Sequence, residues 1–136
     1  MKKRLLFVAV LSSIFFFSCS RSSDDDSSNS GVDISTGTWH ITLFTDSGNN
    51  ETSDYDGYIF TFATGGVLTA VKNGVSTNGR WSPVSKFNIN LGLKSDSNKP
   101  LGELTDNWQI ISISANEIKL TDDNSSSGEF LTFTKN

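Results

Sequence analysis

The stretch from Tyr55 to Trp81, YDGYIFTFATGGVLTAVKNGVSTNGRW, leaves this chain little choice of fold. Three runs of β-type residues are cut by Gly65-Gly66 and Asn73-Gly74, dipeptides that supply the positive φ of tight hairpin turns. Tyr58, Phe60 and Phe62 alternate with Ile59, Thr61 and Ala63, the period of a strand with one dry face and one wet one. A segment written this way is an antiparallel meander.

The flanking chain repeats the pattern. Candidate strands fall at about 37–45, 56–63, 67–72, 75–82, 85–92, 106–114, 116–121 and 129–135. No stretch carries sustained helical periodicity; Leu101 to Gln109 comes nearest, but it contains Gly102 and lacks an apolar stripe. The links are short except at about 46–55 and 93–105, which favours pairing of sequence neighbours. The expected fold is all-β, an eight-stranded antiparallel up-and-down barrel rather than a Greek-key sandwich.

Parity assigns the faces. Trp39, Ile41 and Leu43 share one side of the first strand, opposite Thr38, His40 and Thr42. Phe87, Ile89, Leu91 and Leu93 form the dry side of the fifth, Ile118 and Leu120 that of the seventh, and Leu131 and Phe133 that of the last. The strand around Trp108 is apolar on both faces, so its register stays open.

The N-terminus has a different character. Lys2, Lys3 and Arg4 precede an apolar run from Leu5 to Phe17, too short to span a bilayer but suited to a secretory signal. It ends at Phe16-Phe17-Ser18-Cys19, which holds the chain's only cysteine. A lone cysteine in an exported protein makes no internal disulfide. Its position resembles the lipobox of bacterial lipoproteins, with Phe16 where that pattern prefers Leu. The resemblance implies cleavage before Cys19, acylation of its thiol and attachment to a membrane through the N-terminal lipid anchor. Residues 1–18 are then the signal peptide. Their removal takes Lys plus Arg from 11 to 8 against 15 Asp plus Glu, so the net charge moves from −4 to −7. A surface of that sign has no electrostatic footprint for nucleic acid, and none is expected as a partner.

Residues 19–36 read as a lipidated tether, dominated by Ser, Asp and Asn with only Val32 and Ile34 apolar. A flexible chain of that length spans about 23 Å end to end. Asp24-Asp25-Asp26 resembles the Ser/acidic export signal of Bacteroidota surface lipoproteins, which implies an outer-membrane, surface-exposed location. The same run reads equally as a solvated spacer.

Residues 37–136 form the folded domain. Gly37-Thr38-Trp39 resembles the Gly-x-Trp signature of lipocalins and their calycin relatives. Phe60-Thr61-Phe62, Gly66, Gly79-Arg80-Trp81, Trp108 and Phe130-Leu131-Thr132-Phe133 are similar to the short lipocalin-like domains of Bacteroidota lipoproteins. The resemblance implies that Trp39 lies across the barrel floor beneath a cation, with Lys119 and Lys135 as the candidates. The chain departs from the full lipocalin pattern in being shorter and in lacking the C-terminal helix and the disulfides.

Trp39, Tyr58, Phe60, Phe62, Trp81, Phe87 and Trp108 are the candidate lining of a cavity for a small hydrophobic ligand. An eight-stranded barrel is just wide enough to hold one small molecule or to be filled by its own side chains. Small residues such as Ala63, Thr69 and Ala70 pointing inward would mark a cavity, and large side chains meeting across the axis would mark a filled core. His40, the only histidine, faces outward by parity, and no nucleophile has a positioned base, so neither catalysis nor a cofactor is expected. The carboxylate pairs Asp54 with Asp56 and Asp122 with Asp123 sit in turns, where Asp serves turn chemistry. The loop from Asp46 to Gly57 is dense in oxygen ligands but lacks EF-hand spacing, and reads as a polar lid at the barrel mouth rather than a metal site. These features point to a non-enzymatic, lipid-anchored barrel binding a small hydrophobic ligand between loops 46–55 and 93–105. The alternative is a filled barrel acting as a surface interaction or structural module, whose protein partner the sequence does not name.

Overall fold

The computed structural model describes residues 31–93, 98–124 and 126–136. The expected signal peptide, Cys19 and the expected tether up to residue 30 lie outside the described residues. Nine strands follow one another: β1 Trp39–Asp46, β2 Asn49–Asn50, β3 Ile59–Ala63, β4 Val67–Lys72, β5 Val75–Ser82, β6 Phe87–Asn90, β7 Asp106–Ile113, β8 Glu117–Thr121 and β9 Phe130–Lys135. From β3 to β9 each strand pairs antiparallel with the next, and β1 closes the ring by pairing with both β3 and β9. Eight strands thus make a closed antiparallel up-and-down barrel, as the meander predicts, and β2 only extends the tip of β1.

Turn chemistry fixes the register. Asn73 and Gly74 both take positive φ, 52° and 78°, and join Lys72 to its partner Val75 in a two-residue turn. Pairing then runs unbroken to Val67↔Arg80. Phe60 and Phe62 on β3 thereby face inward with Leu68 and Ala70 on β4.

Two irregularities depart from simple alternation. In β1 the register shifts between Ile41 and Leu43, so Trp39, Ile41 and Phe44 are buried while Leu43 is only half-buried. Leu43, assigned inward by parity, gives that place to Phe44, because one extra residue flips the side of everything after it. In β7 Trp108 is buried and pairs with Phe87, which settles the register left open by the sequence; the shift between Ile110 and Ser112 leaves both Ile111 and Ser112 exposed and returns Ile113 to the core side.

Both barrel ends are covered. At the end holding the β3–β4 turn, Ile34 is buried and its carbonyl accepts the Trp39 indole N–H at 3.1 Å. The packed body therefore begins ahead of residue 37, in chain that its composition places in the tether. At the opposite end, 3-10 turns at Thr52–Tyr55 and Leu101–Leu104 bury Tyr55, Leu101 and Leu104. The Tyr55 hydroxyl donates to the Pro100 carbonyl at 2.8 Å, tying the two loops together. Among the described residues no helix is long and apolar enough to cross a membrane.

Candidate functional site

The aromatic residues singled out in the sequence converge on the barrel axis and pack against one another. Phe62 lies 5.2 Å from Phe133, 5.4 Å from Trp81, 5.7 Å from Phe87 and 6.1 Å from Trp39, each ring meeting it edge to face. This is the favoured geometry for aromatic quadrupoles. Trp39, Phe60, Phe62, Phe87 and Trp108 are buried, whereas Tyr58 and Trp81 are half-buried. Of the three small residues that would open a cavity, Ala70 alone is buried; Thr69 directs its hydroxyl to the Asn78 side chain on the outer face. Large side chains therefore meet across the axis. The expected mouth between loops 46–55 and 93–105 is likewise closed, by Tyr55, Leu101 and Leu104.

Concave apolar surface lies at the other end. A cleft of about 570 Å³ opens between the segment Val32–Ser35, the β3–β4 turn, the start of the β5–β6 loop and the end of β7. Its apolar lining is Val32, Ile34, Trp81, Pro83 and Ile113. The Trp81 ring is fixed in place: it stacks on Phe87 at 5.8 Å, and its N–H donates to the Ala63 carbonyl at 3.0 Å. Asp33 stands on the rim, where its carboxylate accepts from the Ser35 hydroxyl at 2.5 Å and the Ser35 N–H at 2.8 Å. These two bonds hold Asp33 below the usual carboxylate range, and no lysine or arginine is among the lining residues. Of this site the sequence reading found Trp81. Val32 with Ile34, Pro83 and Ile113 come from three separate segments that only barrel closure brings together.

A second cluster occupies the end closed by the 3-10 turns. Asp46 at the tip of β1, Glu51 after β2 and Glu103 in the second 3-10 turn bring one carboxylate oxygen each within 4.8 Å of the others. Lys99 Nζ lies 2.5 Å from Glu103 Oε1 and 3.8 Å from Glu51 Oε2. Burial, then repulsion from Asp122, Asp46, Asp106 and Glu103, pushes the nearby Glu129 carboxyl up to about 7. The Tyr55 phenol is raised well above its ordinary value, first by burial and then by Glu103 and Glu51. The loop of oxygen ligands lies over this end of the barrel and contains the 3-10 turn at Thr52–Tyr55. Glu103, arriving from the other long loop, has no local signal in the sequence. His40 is half-buried on β1, in register with Thr134.

No protein-family model matches the chain, and no curated protein matches it. Among solved structures it is similar to the crystal structure of a DUF4847 family protein from Bacteroides vulgatus. The TM-score is 0.55 at 17% identity, covering 76% of this chain and 94% of that one. Likeness at this identity shows the fold, a barrel of a kind found in Bacteroides.

Proposed function

We propose that this chain is a non-enzymatic envelope lipoprotein, anchored through acyl chains on Cys19 and displayed at the outer membrane. In this reading its lipocalin-like barrel binds a small hydrophobic ligand in the cleft beside Trp81, not in the interior. One observation carries the choice of site: the axis is occupied by the rings around Phe62, while a cleft of about 570 Å³ with an apolar lining stands open at the end nearest the tether. That size lies within the ordinary range for small-molecule sites. The Asp33 carboxylate on the rim, with no lining cation, favours a ligand whose polar end is neutral or cationic over a fatty-acid carboxylate. Gly37-x-Trp39 with a lysine against the indole supports the lipocalin-like assignment.

The test uses the chain from residue 31, purified and extracted into organic solvent for mass spectrometry. A co-purifying hydrophobe that is lost in Ile113→Trp, a substitution that fills the cleft, supports the reading. An empty extract, with no change in Trp81 fluorescence against neutral and cationic amphiphiles, overturns it. The rival, a module that docks a protein partner, is favoured by exposed apolar side chains in and beside the cleft, with Val32 in its lining 39% exposed and Val84 77%. It becomes the working reading if the extract is empty.

A further inference from the structure

At the barrel end opposite the cleft, we propose that Asp46, Glu51 and Glu103 form a binding site for a divalent cation of the calcium type. The first support is geometric. Two oxygens that each lie about 2.4 Å from one ion can be no more than about 4.8 Å apart. The three carboxylates present one oxygen each within that separation, the spacing that a shared ion requires.

The second support is independent of the clustering. The Glu103 side chain is only 8% exposed, and while its Oε1 meets Lys99, its Oε2 is buried with no hydrogen-bond partner among the described residues. Glu51 Oε2 is likewise buried with no hydrogen-bond partner among the described residues. Burying a carboxylate oxygen with no hydrogen-bond donor to meet it is unfavourable, and native structures rarely tolerate it. Lys99 is one positive charge facing three carboxylates. Its side chain is 56% exposed and stands 3.8 Å from Glu51, beyond hydrogen-bonding distance. It partly neutralises the cluster and, being long and solvated, swings away without disturbing the fold.

The donor set selects the ion. All three donors are carboxylate oxygens, with neither His nor Cys among them, which suits a hard cation and disfavours zinc. They come from β1 and from two separate loops, and Asp46 and Glu51 are only half-buried. Irregular, partly hydrated coordination of this kind is accommodated by calcium and resisted by the strict octahedron of magnesium. Bound there, the ion clamps the two capping loops to the tip of β1, beside the Tyr55–Pro100 bond that already joins them.

The experiment is calorimetric and thermal titration of the full chain, first stripped with EDTA, using calcium chloride alone and then magnesium chloride alone. Saturating calcium is expected to raise Tm by about 10 °C, with a much smaller shift from magnesium at equal concentration. Glu103→Gln and Asp46→Asn should each weaken calcium at least tenfold, whereas Asp123→Asn, in a surface pair with Lys86, should leave affinity unchanged. Lys99→Gln is the decisive variant. It should lower the stability of the stripped protein yet tighten calcium, a reversal that a purely structural ion pair does not produce. Absence of heat and of a Tm shift in the wild-type chain up to about 10 mM calcium overturns the proposal. So does an equal calcium response in the wild type and in both ligand variants, which would place the ion elsewhere.

Discussion

Lys135 Nζ sits 5.6 Å from the centroid of the Trp39 ring, across the first and last strands that close the barrel. The indole is fully buried and its N–H is spent on Ile34, so its face is a fixed platform for the cation. Gly37 makes room for the lysine: it holds φ +80°, and a Cβ there would stand 2.8 Å from Lys135 Cε. Of the two candidate lysines, Lys119 instead pairs with Glu117 at 2.9 Å. Lys135→Ala should therefore cost about 1 kcal/mol in urea denaturation, and Lys135→Met, which keeps the apolar stem, roughly half of that. Equal losses in both would mean that the charge contributes little.

Phe62 separates a filled barrel from a cup. Its ring meets Trp39, Trp81, Phe87 and Phe133, so truncation leaves a void that rigid strands cannot collapse around. Phe62→Ala should destabilise by about 3–5 kcal/mol, a large share of what a domain of this size possesses. A loss below about 1.5 kcal/mol in chemical denaturation would show that the interior was already loosely packed.

Why the barrel was legible and the cleft and carboxylate cluster were not follows from the range of the signals. Asn73-Gly74 and the alternation in β3 to β5 are local, and they dictated hairpins whose summed pairing closes a ring. The shifts at Thr42 and Ile111 were illegible because each inserts one more β-forming residue into a run of β-formers; only the inside of a finished barrel decides which one is extra. Ile34 was hidden by its polar neighbours, since burial there depends on Trp39 offering an indole N–H to its carbonyl. Glu51 and Glu103 belong to different loops, and no periodicity links them. Long-range closure brought them together.

Gly79 is required for space rather than for conformation. A Cβ added there falls on the Asn90 carbonyl and lies 2.6 Å from Leu91 Cα, because β5 and β6 cross closely at that point. Both obstacles are backbone, which cannot rotate aside. Gly79→Ala should lower stability by about 2 kcal/mol or more and separate β5 from β6. Hydrogen exchange provides the check: amides of Phe87–Asn90 should lose protection before those of β8 and β9. Unchanged protection would mean that the strands shift to accept the methyl.

Glu129 gives stability a pH dependence opposite to that of a salt-bridged acid. In the folded chain burial and the carboxylates of Asp122, Asp46, Asp106 and Glu103 raise its pKa to about 7 from an ordinary 4.5. Between those two values the folded state holds a proton that the unfolded state has released, so stability falls as pH rises through this window. Below about 4.5 both states are protonated and the penalty vanishes. Above about 7 the penalty is complete. The full shift would correspond to a few kcal/mol, but the group is only half-buried and solvent screens the repulsion, which leaves about 1 kcal/mol. Glu129→Gln should thus be more stable than the wild type by about that amount at pH 8 and equal to it at pH 4. Urea midpoints at pH 4, 6 and 8, measured in EDTA to keep divalent cations out, give the comparison. A gain that is the same at all three pH values would trace the effect to packing of the amide, and the repulsion among these carboxylates would have to be discarded as its cause.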